Sequence, residues 1–171
     1  DSIDLNGDGI TLVEMQAALA SKATDAQLGL LFTMLDTNAD GTISKQFQIS
    51  GLGPYAGTAS ALLRWRLENQ PELLQGATNL WCKDWIEYKL TGDLSTDPSD
   101  ASLAGIDVRT RTWSDQVLAD FGLTEIRAVL PEPKSPITNI GGVTAAAAGV
   151  TGLVAGTPVF KGQMDITASS L

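Results

Sequence analysis

Histidine is absent from the 171 residues, and cysteine occurs once. Without histidine there is no Ser-His-Asp triad, no Cys-His pair and no histidine-ligated zinc site, so acid–base chemistry falls to carboxylates, lysine or tyrosine. The lone Cys82 has no internal disulfide partner. Lying between Trp81 and Lys83 in an expected helix, it reads as a buried structural thiol in a reducing cytoplasm. No apolar run approaches the eighteen residues of a membrane span, and the polar N-terminus leads us to expect no signal peptide. Basic residues are scarce too, 11 against 20 acidic, for a net charge of −9. Nucleic acids and anionic membranes require a basic face, so neither is expected as a partner. With 43% hydrophobic residues, the chain suits one or two soluble globular units.

The acidity is uneven. Residues 1–50 hold seven acidic and two basic side chains, a local excess that suggests a cation. Two similar runs, Asp-Leu-Asn-Gly-Asp-Gly at 4–9 and Asp-Thr-Asn-Ala-Asp-Gly at 36–41, flank stretches with apolar residues at helical spacing. These are Leu12, Met15 and Leu19, then Leu28, Leu31, Phe32 and Leu35. Thr24 and Asp25 mark the second helix start, with Gln27 at the capping-box position. Alternating oxygen side chains followed by a turn glycine are what a calcium loop requires.

The two runs resemble EF-hand loops. That resemblance implies Ca2+ ligands at Asp4, Asn6, Asp8 and Glu14 in the first loop. In the second they are Asp36, Asn38, Asp40, the Thr42 carbonyl and Ser44. The first loop is a residue short before Glu14. The second carries Phe47 where a bidentate glutamate belongs, which weakens calcium binding. A dockerin module and a plain polar turn are the alternatives. The expected unit is an incomplete, α-helical EF-hand-like segment over 1–46.

From Phe47 onward the character changes. Helices are expected over about 58–70 and 73–90, the second started by Pro71 and ended by Gly92 in the left-handed capping role. The polar loop Ser95 to Ser102 leads to a helix near 113–121 that opens on Ser114 and Asp115. Leu130-Pro131-Glu132-Pro133 breaks the chain again. A short helix follows around 144–150, then a buried strand, Thr157-Pro158-Val159-Phe160, ending at Gly162. Trp65, Trp81, Trp85 and Tyr88 read as core rather than as a sugar-stacking platform, and Lys83 with Asp84 as a solvated or scaffold pair.

Several stretches in this order carry a family resemblance. They are Ala61-Leu62-Leu63-Arg64-Trp65, Glu68-Asn69-Gln70-Pro71-Glu72, Cys82-Lys83-Asp84-Trp85-Ile86 and Lys89-Leu90-Thr91-Gly92. Thr96-Asp97-Pro98-Ser99-Asp100-Ala101-Ser102, Trp113-Ser114-Asp115, Leu130-Pro131, Thr151-Gly152-Leu153, Gly156-Thr157-Pro158-Val159 and Gly162-Gln163-Met164-Asp165 complete the set. Residues 47–171 thus resemble the FGGY carbohydrate kinases, in particular their xylulose-kinase-like branch. The resemblance implies an α/β fold, part of an actin-like, ribonuclease-H-like sugar-binding lobe with more helix than strand. It implies Mg-ATP as phosphoryl donor and a small sugar, pentulose-like, as acceptor. Asp165 matches the general base that deprotonates the sugar hydroxyl; the plainer alternative is a helix-capping aspartate. Asp97, Ser99 and Asp100 fall on the sugar side of the cleft, with a hydrogen-bonded turn as the alternative. The family's Asp-x-Gly-Thr phosphate loop does not occur in these residues, so the chain by itself is expected to be inactive as a kinase.

Overall fold

The computed structural model describes residues 9–35, 41–43, 45–51 and 57–170. It divides into two compact units, Asp1–Gly53 and Pro54–Leu171.

In the first unit, strand β1 (Ile10–Thr11) leads into α1 (Leu12–Leu19), followed by α2 (Asp25–Leu35), β2 (Thr42–Ile43) and α3 (Lys45–Ser50). Both long helices begin where capping chemistry allows. Thr11 Oγ1 accepts from Glu14 N at 3.3 Å, while Glu14 Oε2 accepts from Thr11 N at 2.9 Å. Thr24 and Gln27 repeat that reciprocal arrangement at α2, as their spacing predicts. The two helices bury Met15, Leu28 and Phe32, with Ile10, Leu12, Leu19, Ala23 and Phe47 packed around them. Phe47 therefore joins this core. The strands pair antiparallel, Ile10 with Ile43 and Thr11 with Thr42. Gly9 and Gly41, which close the two acidic runs, take φ of 121° and 88°, a conformation open to glycine and costly for other residues. Asp4, Asn6, Asp8, Asp36, Asn38, Asp40 and Ser44 lie outside the described residues.

The second unit opens with α4 (Ala59–Asn69), capped by Thr58, and a 3-10 turn at Pro71–Leu74. A single helix over 73–90 does not form. Gly76 turns into the left-handed region at φ 67°, and the Asn79 amide is taken by the Val129 carbonyl. Helix α5 starts only at Cys82 and runs Cys82–Thr91, ending on Gly92 at φ 84°. Then come α6 (Pro98–Ala101), the hairpin β3 (Ile106–Asp107) and β4 (Thr112–Trp113), and α7 (Asp115–Asp120) capped by Ser114. A 3-10 turn at Thr124–Val129 precedes β5 (Asn139–Gly142), α8 (Ala145–Thr151), β6 (Pro158–Phe160) and α9 (Asp165–Ser169). Strands β5 and β6 pair antiparallel, with a register shift between Asn139 and Gly141.

The core of this unit gathers Leu63, Ala101, Ala104, Ile106, Trp113, Leu118, Leu123, Ile126, Val129 and Leu130. Trp113 stacks on Trp81 at 6.4 Å and donates its indole N–H to the Pro131 carbonyl at 2.9 Å. The other aromatics differ from expectation. Trp65 on α4 is exposed, and so are Trp85 and Tyr88, because the inward face of α5 is given to charged side chains instead. Cys82 is exposed at the first position of α5, not buried. Strand β6 is also open to solvent, with Phe160 56% exposed. The residue that follows it, Lys161, is wholly buried.

Candidate active site

Helix spacing places Lys83, Asp84 and Glu87 on one side of α5, and this side faces the interior. Asp84 is fully buried and Glu87 nearly so. Between their carboxylates sits Lys161, whose Nζ lies 2.5 Å from Glu87 Oε2 and 2.8 Å from Asp84 Oδ1 and donates to the Ser95 carbonyl at 2.7 Å. Lys83 Nζ donates to Asp84 Oδ1 at 2.7 Å, and lies 3.3 Å from Asp97 Oδ1 and 3.4 Å from Asp100 Oδ2. It also donates to the Lys161 carbonyl at 3.3 Å. Four carboxylates thus surround two ammonium groups, tying α5, α6 and the end of β6 together.

This imbalance acts on the charges themselves. Burial pushes the Asp100 carboxyl up to about 6; Lys83 opposes the rise, and Asp97 and Asp84 add to it. Burial also raises Glu87, against the pull of Lys161. For Lys83 burial works downward, but Asp84, Glu87 and Asp97 outweigh it and hold the ammonium above its ordinary range. A carboxylate excess in a low-dielectric interior is relieved by holding protons to higher pH, the direction in which Asp100 and Glu87 are both shifted.

Of the polar loop residues, Asp97 and Asp100 are buried in this lattice. Asp97 Oδ2 accepts from Ser99 N at 2.7 Å and from Ser99 Oγ at 2.5 Å, which starts α6. Ser99 Oγ in turn accepts from the Met164 amide at 2.8 Å. The loop therefore reaches the turn that carries Asp165. That residue is the first of α9 and is exposed, with Met164 in the capping position instead. Its Oδ1 accepts from Ile166 N at 2.8 Å, leaving the rest of the carboxylate toward solvent. Glu14, a candidate calcium ligand, uses Oε2 to cap α1. Lys161 and Glu87 were missed from sequence. The signals available were a lone lysine closing an apolar strand and a glutamate four residues after Lys83. Among the described residues no three acidic or thiol side chains are arranged to hold a metal ion.

Residues 31–171 match the model for the N-terminal domain of the FGGY family of carbohydrate kinases. The chain belongs to this family. The matched stretch takes in the second acidic run, 36–41. An erythritol kinase from Brucella abortus is 34% identical over 154 residues, covering 84% of this chain and 30% of its own length. An autoinducer-2 kinase from Klebsiella pneumoniae is 37% identical over 131 residues, covering 75% of this chain and 24% of its own. Among solved structures, xylulose kinase from Rhodospirillum rubrum superposes with a TM-score of 0.66 at 28% identity, over 83% of this chain and 28% of that one. The chain spans between 23% and 30% of the length of the curated relatives it matches. The FGGY-type lobe here is mixed helix and strand, with helix predominating.

Proposed function

We propose that this chain supplies the sugar-side part of an ATP-dependent carbohydrate kinase, with Asp165 as general base. One observation carries the reading: an exposed carboxylate opens α9 after a short turn that leaves β6, and Lys161 anchors the start of that turn in the interior. A base must meet substrate from a backbone that stays fixed; the exposure of Asp165 meets the first demand, and Lys161 fixes the chain four residues before it. Asp165 takes the proton from the attacking sugar hydroxyl; magnesium and the nucleotide, when bound, supply the phosphoryl group and neutralise its charge. The acceptor class is a small ketose or sugar alcohol, with a pentulose expected from sequence and a tetritol suggested by the similarity to erythritol kinase. Of the three loop residues, Ser99 adjoins the Asp165 turn through the Met164 amide, whereas Asp97 and Asp100 are buried in the ion lattice.

The test is sugar-dependent ADP release by the protein that carries this chain. Asp165→Asn is expected to lower kcat by about 10²–10⁴-fold. Full activity in that variant would refute the reading.

A second reading has support in the first unit. The antiparallel pairing of Ile10 with Ile43, and the positive φ of Gly9 and Gly41, suit two calcium loops set side by side. Phe47 counts against tight binding, since it packs in the core where a ligating glutamate is required. Absence of terbium luminescence and of calorimetric heat at millimolar calcium would remove it.

A further inference from the structure

The turn that carries Asp165 has little to hold it. Among the described residues, the bond from the Met164 amide to Ser99 Oγ is the one hydrogen bond that ties residues 163–165 to an element outside α9. The Ser99 hydroxyl accepts that N–H and donates its own proton to Asp97 Oδ2 at 2.5 Å. It is therefore fully oriented. Asp97 has no exposure, receives the Ser99 amide on the same oxygen, and turns its other oxygen toward Lys83 at 3.3 Å. The line Lys83–Asp97–Ser99–Met164 runs from a buried ion lattice to the amide of the residue before Asp165.

We propose that Ser99 is a positioning residue for the Asp165 carboxylate. Its hydroxyl fixes the Met164 peptide, and with it the direction in which the carboxylate leaves the turn. This rests on the reading of Asp165 as general base. A methyl group at position 99 would leave the buried Asp97 oxygen with the amide bond alone and the Met164 N–H without its partner. The turn would then sample several directions while the lattice behind it stayed in place. Misplacing a base by about 1 Å costs on the order of 10²-fold in rate without a matching loss in binding.

The experiment compares wild type, Ser99→Ala, Ser99→Thr and Asp165→Asn in the protein that carries this chain. It reads kcat and KM for sugar phosphorylation and amide hydrogen exchange at Met164, Lys161 and Gly162. Ser99→Ala is expected to lower kcat about 10–100-fold with KM within about twofold. Met164 exchange should quicken by about tenfold or more, while Lys161 and Gly162, bonded to the Thr138 and Pro136 carbonyls, keep their rates. Ser99→Thr, which retains the hydroxyl, should recover most of kcat. Wild-type kcat in Ser99→Ala, equal quickening at all three amides, or a Ser99→Thr variant as slow as Ser99→Ala would each overturn the proposal. Retained activity in Asp165→Asn would instead bring down the kinase reading itself. An inactive Asp165→Asn beside a fully active Ser99→Ala would remove only the role of Ser99.

Discussion

Lys161 and Glu87, 74 residues apart in sequence, meet through an ammonium–carboxylate bond of 2.5 Å from which solvent is excluded on the lysine side. The bond fastens the end of β6 to the inward face of α5. A lysine loses its hydration entirely at such a site, and only partners that use each of its donors make that tolerable. Glu87, Asp84 and the Ser95 carbonyl provide them.

Lys161→Met would remove the cation while leaving Asp84 and Glu87 buried. Uncompensated buried charge of this kind costs about 3–5 kcal/mol, read as a lower denaturation midpoint with an unchanged slope. Adding Glu87→Leu to the variant should restore part of that loss, since one stranded carboxylate goes with it. A Lys161→Met protein as stable as wild type would mean that the lattice contributes nothing to the fold.

Asp100 gives the lattice a pH dependence of definite sign. Its carboxyl lies at about 6 in the folded chain against an ordinary 3.8, raised first by burial and then by Asp97 and Asp84, with Lys83 opposing. A raised acid favours the protonated fold, so its contribution is complete below about 3.8 and is lost as pH rises through about 6. Glu87 acts in the same direction. Unfolding free energy measured from pH 4 to 6.5 should therefore carry a falling component, and Asp100→Asn should flatten it. An identical profile in the variant would locate the dependence elsewhere.

How much of this was legible depended on whether the cause was local. Thr24 with Gln27, Ser114 and Gly92 announced helix ends because capping is decided within four residues. The break between Leu74 and Cys82 was not, since it depends on Val129, which accepts the Asn79 amide. Apolar size pointed Trp85 and Tyr88 inward, but the face of α5 is fixed by the partners of Lys83, Asp84 and Glu87, which lie far along the chain. Asp165 was singled out by its place in a family stretch, and its exposure at the first position of α9 came only with the structure. The loop at Asp97, Ser99 and Asp100 was readable as a polar cluster, whereas the inward direction of its carboxylates required Lys83.

The β5–β6 pair that delivers Lys161 depends on a glycine for lack of space. A Cβ built on Gly142 would lie 3.0 Å from the Gly156 carbonyl oxygen, 3.1 Å from its Cα and 3.2 Å from its carbonyl carbon. All three are backbone atoms, so no side chain can rotate away. The neighbouring bonds, Gly156 N to Val143 O at 2.8 Å and Val143 N to Thr157 O at 2.9 Å, hold the two segments at this separation. Gly142→Ala must push them apart, and overpacking of this kind costs about 1–3 kcal/mol. Gly149 provides the contrast, because it is exposed in the interior of α8 with nothing within 4 Å of a built Cβ. Gly149→Ala should stabilise the chain by about 0.4–1 kcal/mol through the unfolded state. Thermal unfolding of the two variants should shift in opposite directions; a Gly142→Ala midpoint at or above wild type would mean that the strand pair yields without cost.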